Sequence, residues 1–153
     1  MVIADKLRTT PPPLICLAAL ALGLAFNRWW PLALIPTQVR YVAGGLLMLG
    51  PVIAMPGILR SFRRVNTPFD VRKSPTAFVS GGLYAFSRNP SYVALLLFFT
   101  GVGVVLSNAW VPIWLVPAAV IIDRYVIPEE ERRLERVFGE QYRAYASRVR
   151  RWL

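Results

Sequence analysis

The chain predicts an all-α fold: a polytopic membrane protein of about four transmembrane helices with a C-terminal amphipathic cytoplasmic helix. Three observations carry that expectation. Of the 153 residues, 56% are hydrophobic and only 17% are charged, against about 25% charged in ordinary soluble domains. The charges are segregated, with none between Arg8 and Arg28, between Arg40 and Arg60, or between Arg88 and Asp123. The formal charge of +10 gathers in the segments between those apolar stretches.

Taken in order, the first apolar window gives a span over about 14–30, closed by Asn27 and Arg28 and flanked by Trp29 and Trp30. Indole rings favour the interface between headgroups and water. The second gives a span over about 39–59, in which Pro51, Pro56 and several glycines predict bending and close packing. The third stretch, Asn89 to Ile122, is too long for one crossing, since about 20 residues suffice for a hydrocarbon core of roughly 30 Å. Ser107-Asn108 near its middle divides it into spans over 91–106 and 109–127. The link over 60–90 is long and carries Pro68, Pro75, Gly81 and Gly82, which interrupt a continuous helix. From Pro128 a helix is expected over 128–149. Its acidic start at Glu129, Glu130 and Glu131 suits the positive helix end. Leu134, Val137, Phe138, Tyr142, Tyr145 and Val149 recur at spacings of three and four, as one apolar face. The whole chain, 1–153, reads as a single domain.

Sixteen of the 18 Lys and Arg fall in segments on one side of this topology, and only Arg28 and Arg40 on the other. The positive-inside rule then places both termini in the cytoplasm. The lack of further spans suggests a prokaryotic plasma (inner) membrane. Met1–Arg8 is mixed in charge, and no convincing cleavage site follows, so no removable signal peptide is expected. The basic residues flank spans, where they attract anionic membrane lipids, and no nucleic-acid partner is predicted.

Composition also removes chemistries. Without histidine there is no histidine general base, no Ser-His-Asp triad and no imidazole-bound metal. The single cysteine, Cys16, allows neither an internal disulfide nor a cysteine-cluster metal site, and no metal is expected. Gly101 and Gly103 lie within a span, where small residues usually serve close helix packing.

Two segments are more specific than connectors need to be. The first reads G-x-Y-x-x-x-R-N-P-x-Y through Gly82, Tyr84, Arg88, Asn89, Pro90 and Tyr92. The second is I-x-x-E-E-x-x-L-x-x-x-F-G-x-x-Y-x-x-Y-x-x-x-V-x-R, from Ile127 through Glu130, Glu131, Leu134, Phe138, Gly139, Tyr142, Tyr145 and Val149 to Arg151. In both, the chain resembles the integral-membrane methyltransferases typified by isoprenylcysteine carboxyl methyltransferase, with phospholipid methyltransferases as relatives. The matches run over about Thr67–Trp152.

The resemblance implies an S-adenosyl-L-methionine-dependent methyltransferase whose acceptor is a lipidic or membrane-partitioned small molecule bearing a carboxylate, thiol or amine. Carried over by motif, the cofactor contacts are Thr76, Ala77, Phe78, Val79, Tyr84, Asn89, Pro90, Ser91, Tyr92 and Glu130. The zwitterionic end of that cofactor needs a carboxylate for its ammonium, for which Glu130 is the candidate. Its own carboxylate needs donors, which Arg88, Asn89 or free backbone N–H groups near the start of the third span can supply. If the acceptor must lose a proton, Glu131, Asp123 or a tyrosine is left to take it. In the isoprenylcysteine enzymes an arginine four positions before the first Glu of the pair faces the substrate carboxylate. Here that position is Val126 and the nearest arginine is Arg124, so Arg88, Glu131 and Arg124 form the candidate catalytic set. Asn89 stands where the eukaryotic-type enzymes have His. The alternative is a non-enzymatic four-span membrane scaffold or transport accessory protein retaining the fold.

Overall fold

The computed structural model describes residues 2–33, 36–67 and 77–153, which are helical with short connections. Helix α1 (Val2–Thr9) leads into α2 (Pro12–Trp29), α3 (Thr37–Arg64), a 3-10 turn (Gly82–Ala85), α4 (Pro90–Val105) and α5 (Trp110–Ile121). A π turn (Ile122–Val126) joins α5 to α6 (Ile127–Phe138), and α7 (Glu140–Ala146) follows. The helices α2 and α3 and the continuous run Trp110–Phe138 are long and apolar enough to cross a membrane; α4, also apolar, is shorter at 16 residues. The flanks of α3 and α5 leave Leu46, Ile53, Val116 and Val120 exposed, as lipid-facing residues must be when no water is present to penalise them.

Helix α3 packs chiefly along α4, and α2 along α5. Glycines set both crossings. A Cβ on Gly101 would lie 2.8 Å from the Gly44 carbonyl oxygen, and one on Gly23 would lie 2.8 Å from the Val111 backbone. Gly103 meets Val111 and Pro112 in the same way, so both glycines at 101 and 103 serve helix packing. Between these contacts lies a core of Ile15, Cys16, Ala19, Phe99, Leu115 and Ile122.

The α4–α5 hairpin turns at Ser107 and Asn108. Ser107 takes a left-handed conformation (φ 52°) and the Asn108 amide donates back to the Gly103 carbonyl at 2.9 Å, a helix-ending closure that satisfies orphan carbonyls. The buried Asn108 side chain then donates to the Gly23 carbonyl at 3.2 Å and accepts from the Trp110 amide. The Trp110 indole donates to the Trp30 carbonyl at 2.7 Å. This end of the bundle is sealed.

At the other end the structure differs from the expectation of one new helix over 128–149. Pro128 has no N–H and its ring would crowd the Arg124 carbonyl. The helix widens instead: the Ile127 amide reaches the Ile122 carbonyl, and the helix continues through Pro128 to Phe138. The break comes at Gly139, whose φ of 52° and ψ of −121° suit a residue without Cβ. The chain turns there into α7, which brings Tyr142 and Tyr145 back over the bundle.

Candidate active site

The segment leading into α4 is held by its own backbone and by the end of the chain. The 3-10 turn buries Tyr84, whose ring meets Phe62 edge-on with centroids 5.6 Å apart. Tyr145 donates its hydroxyl to the Tyr84 carbonyl at 2.6 Å. The Asn89 amide donates to the Ser87 hydroxyl at 3.1 Å, and Pro90 opens α4 where no N–H is needed. The Arg88 amide donates to the Arg150 carbonyl at 2.9 Å, and the Asn89 side chain to the Arg151 carbonyl at 3.0 Å. Above this turn Phe78 sits among Phe138, Tyr142 and Tyr145, with ring centroids 5.0 to 6.0 Å away.

These pieces enclose a cavity of about 480 Å³, within the range of small-molecule sites, about 300–1,000 Å³. Its walls are mostly apolar, and its charged groups come from α6 and the α4 turn. Tyr92 donates to Glu130 across the cavity. Burial pushes the Glu130 carboxyl up to about 7, against the downward pull of the Tyr92 hydrogen bond; Glu130 lies beyond the apolar part of its helix, which ends at Ile127. Burial likewise pushes the Tyr84 hydroxyl up to about 12 and raises that of Tyr145, so both remain neutral donors. Glu131 is fully engaged: Arg88 Nη1 lies 3.0 Å from its Oε1, and Arg151 grips it at 2.6 and 3.2 Å.

Most of the residues named from the sequence meet here. Ala77, Phe78, Val79, Tyr84, Asn89, Ser91, Tyr92 and Glu130 line the cavity, as do Arg88 and Glu131. Pro90 is buried just behind the wall. Thr76 lies outside the described residues. Arg124 is placed elsewhere: its side chain is 76% exposed and its ion pair is with its neighbour Asp123 at 3.6 Å. The π turn directs it outward, while Val126 points into the core and is 3% exposed.

Several lining residues escaped sequence reasoning. Pro11, Pro12 and Pro13 reach the cavity from the start of α2, Met55 and Phe62 from the end of α3, and Leu95 from α4. Nothing local marks them: Met55 and Leu95 read as ordinary apolar residues of spans, and Pro11, Pro12, Pro13 and Phe62 as residues flanking them. Tyr142 and Tyr145 had a signal, since both stand in the second motif; they read as part of an amphipathic face until Gly139 turned them inward.

Comparison with known proteins shows the family. The profile for phospholipid methyltransferase matches residues 39–141, which include Arg88, Tyr92, Glu130 and Glu131 of the cavity wall. Protein-S-isoprenylcysteine O-methyltransferase B of Arabidopsis thaliana is 32% identical over 108 residues, covering 68% of this chain and 53% of that protein. The Homo sapiens protein-S-isoprenylcysteine O-methyltransferase is 33% identical over 142 residues, covering 86% of this chain and 48% of its own. The chain thus spans about half the length of the curated relatives it matches. No solved structure matches it. With the profile running through the α3–α4 pair, the Arg88–Tyr92 turn and α6, which supply much of the cavity wall, the chain belongs to the phospholipid methyltransferase family.

Proposed function

We propose that the protein is an S-adenosylmethionine-dependent integral membrane methyltransferase acting on a lipidic or membrane-partitioned small molecule. The observation that carries this reading is the convergence of both signature segments on one cavity, with the Glu130 carboxylate set among apolar and aromatic walls. The donor set fits the cofactor. Glu130 is the partner for an ammonium, and Arg88, whose buried Nε has no hydrogen-bond partner among the described residues, supplies donors for a carboxylate. Tyr84, Phe78 and Val79 suit a flat heteroaromatic ring and a sulfonium. When bound, the cofactor supplies an electrophilic methyl group on that sulfonium, and the hard chemistry is its own.

The chain's part is to bind, orient and exclude water, which accounts for much of the barrier reduction in a displacement. Glu131, held by two arginines, orients Arg88. A carboxylate acceptor needs no base at neutral pH, and the relatives' names, O-methyltransferases, point to an oxygen nucleophile. Such an acceptor is the preferred class over thiol or amine. Its apolar part enters beside Met55 and Leu95, on the side where α3 and α4 face lipid. The cofactor enters from the opposite, aqueous side, which the positive-inside rule makes the cytoplasm.

Calorimetric titration of S-adenosylhomocysteine into detergent-purified protein tests the reading, with Glu130→Ala alongside. Micromolar binding that the variant loses supports it. A folded wild-type protein that fails to bind in lipid-supplemented detergent leaves the non-enzymatic scaffold.

A further inference from the structure

Against the back of the cavity wall the structure carries a polar cluster centred on Arg151, which itself does not line the cavity. Its side chain is about two-thirds buried. Its Nη2 and Nε reach both oxygens of Glu131 at 2.6 and 3.2 Å, and its Nη1 lies 3.3 Å from Asp123 Oδ1. The Trp152 indole donates to the same Asp123 oxygen at 3.0 Å and packs against the helical core. The Arg151 carbonyl accepts from the Asn89 side chain at 3.0 Å and from the Ser87 hydroxyl at 3.4 Å.

The π turn makes this possible. In a regular α-helix, at about 100° per residue, Asp123 and Glu131 would stand about 80° apart around the axis. The wider turn over Ile122–Val126 takes up about one extra residue, which brings the two carboxylates to nearly one face where a single guanidinium bridges them. The other side of Glu131 holds Arg88 at 3.0 Å. An unbroken chain of charge-assisted contacts therefore runs from the tail to the cavity wall.

We propose that Arg151 is a positioning residue for the cavity: by clamping Glu131 between itself and Arg88, and by holding Asn89 through its carbonyl, it keeps the Arg88 guanidinium aimed at the ligand carboxylate. The inference rests on the methyltransferase reading. Arg151 touches no ligand; it acts through Glu131. A lysine cannot replace it fully, because an ammonium lacks the rigid fork that grips two oxygens.

The test is S-adenosylhomocysteine affinity of wild type, Arg151→Met, Glu131→Gln and the double variant, measured by calorimetry with thermal midpoints of the unliganded proteins taken in parallel. Each single substitution is expected to weaken binding about tenfold to a hundredfold, and Arg151→Met is expected to add almost nothing in the Glu131→Gln background. If Arg151→Met fails to fold, Arg151→Lys carries the same cycle with a smaller loss. Wild-type binding with unchanged affinity in the arginine variant overturns the inference, even where the thermal midpoint falls, because that is the mark of a merely structural tail. Independent, additive losses overturn it too. Absence of binding by the wild type sinks the methyltransferase reading itself, and the inference with it.

Discussion

Glu130 holds a carboxyl where water is scarce and the nearest hydrogen-bond donor is Tyr92. With its titration raised to about 7, it is neutral below that pH and must release its proton before pairing with an ammonium. Affinity for S-adenosylhomocysteine is therefore expected to be about tenfold weaker at pH 6 than at pH 8, and Glu130→Gln should flatten that profile. The same shift has a stability consequence of known sign. A carboxyl raised on folding is destabilising once ionised, so unliganded Glu130→Gln should melt above wild type at pH 8. The gap should close as pH falls toward the ordinary carboxyl range. Tyr92→Phe removes the hydrogen bond that favours the ionised form and is expected to move the binding profile upward by about half to one pH unit. An unmoved profile would place the titration elsewhere. Glu130 and Tyr92 were both legible in the motifs. Their mutual contact was not, since 38 residues separate them and no local spacing encodes the distance.

Between elements, contact distance is set by what is missing from the glycines. Where α3 crosses α4, Gly44 and Gly101 oppose each other so closely that any Cβ would strike a backbone oxygen at 2.8 Å, which cannot rotate away. Gly101→Val is expected to cost about 1–3 kcal/mol, read as a lowered thermal midpoint in detergent. Gly45 sits next to Gly44, yet a Cβ there meets nothing within 4 Å. Gly45→Ala should be neutral or stabilise by up to about 1 kcal/mol, from helix propensity alone. Equal losses at both positions would contradict the crossing. The spacing of glycines announced close packing somewhere in these spans, but not which glycine faces the partner. At α6 the reverse happened: Pro128 is a strong helix-start signal that the tertiary structure overrode by widening the preceding turn, keeping Glu130 and Glu131 on an unbroken helix.

Across the molecule, charge and shape are divided between two ends. One end is tied together by Trp30, Asn108 and Trp110, with Arg28 and Arg40 as the basic residues of the adjoining helix ends α2 and α3; the other gathers the cavity and the arginine-rich cap. If the positive-inside rule governs insertion, green fluorescent protein fused after Leu153 should fluoresce in cells, and alkaline phosphatase fused after Leu32 should be active. The opposite pattern would invert the proposed orientation and move the aqueous mouth of the cavity to the far side.

The sequence by itself determined the class of fold, because charge-free windows of membrane length have few other uses, and it marked the family through residues at fixed spacing along two short segments. It also named about half of the cavity wall. What it left to the tertiary structure was direction: Arg124 outward and Val126 inward, Tyr142 and Tyr145 over the cavity, Glu131 occupied by Arg151 and Arg88. Those choices depend on how a helix is phased by its π turn and where Gly139 lets the chain swing. Helical phase and chain reversal are settled by packing between residues far apart in sequence, and a local pattern carries no record of them.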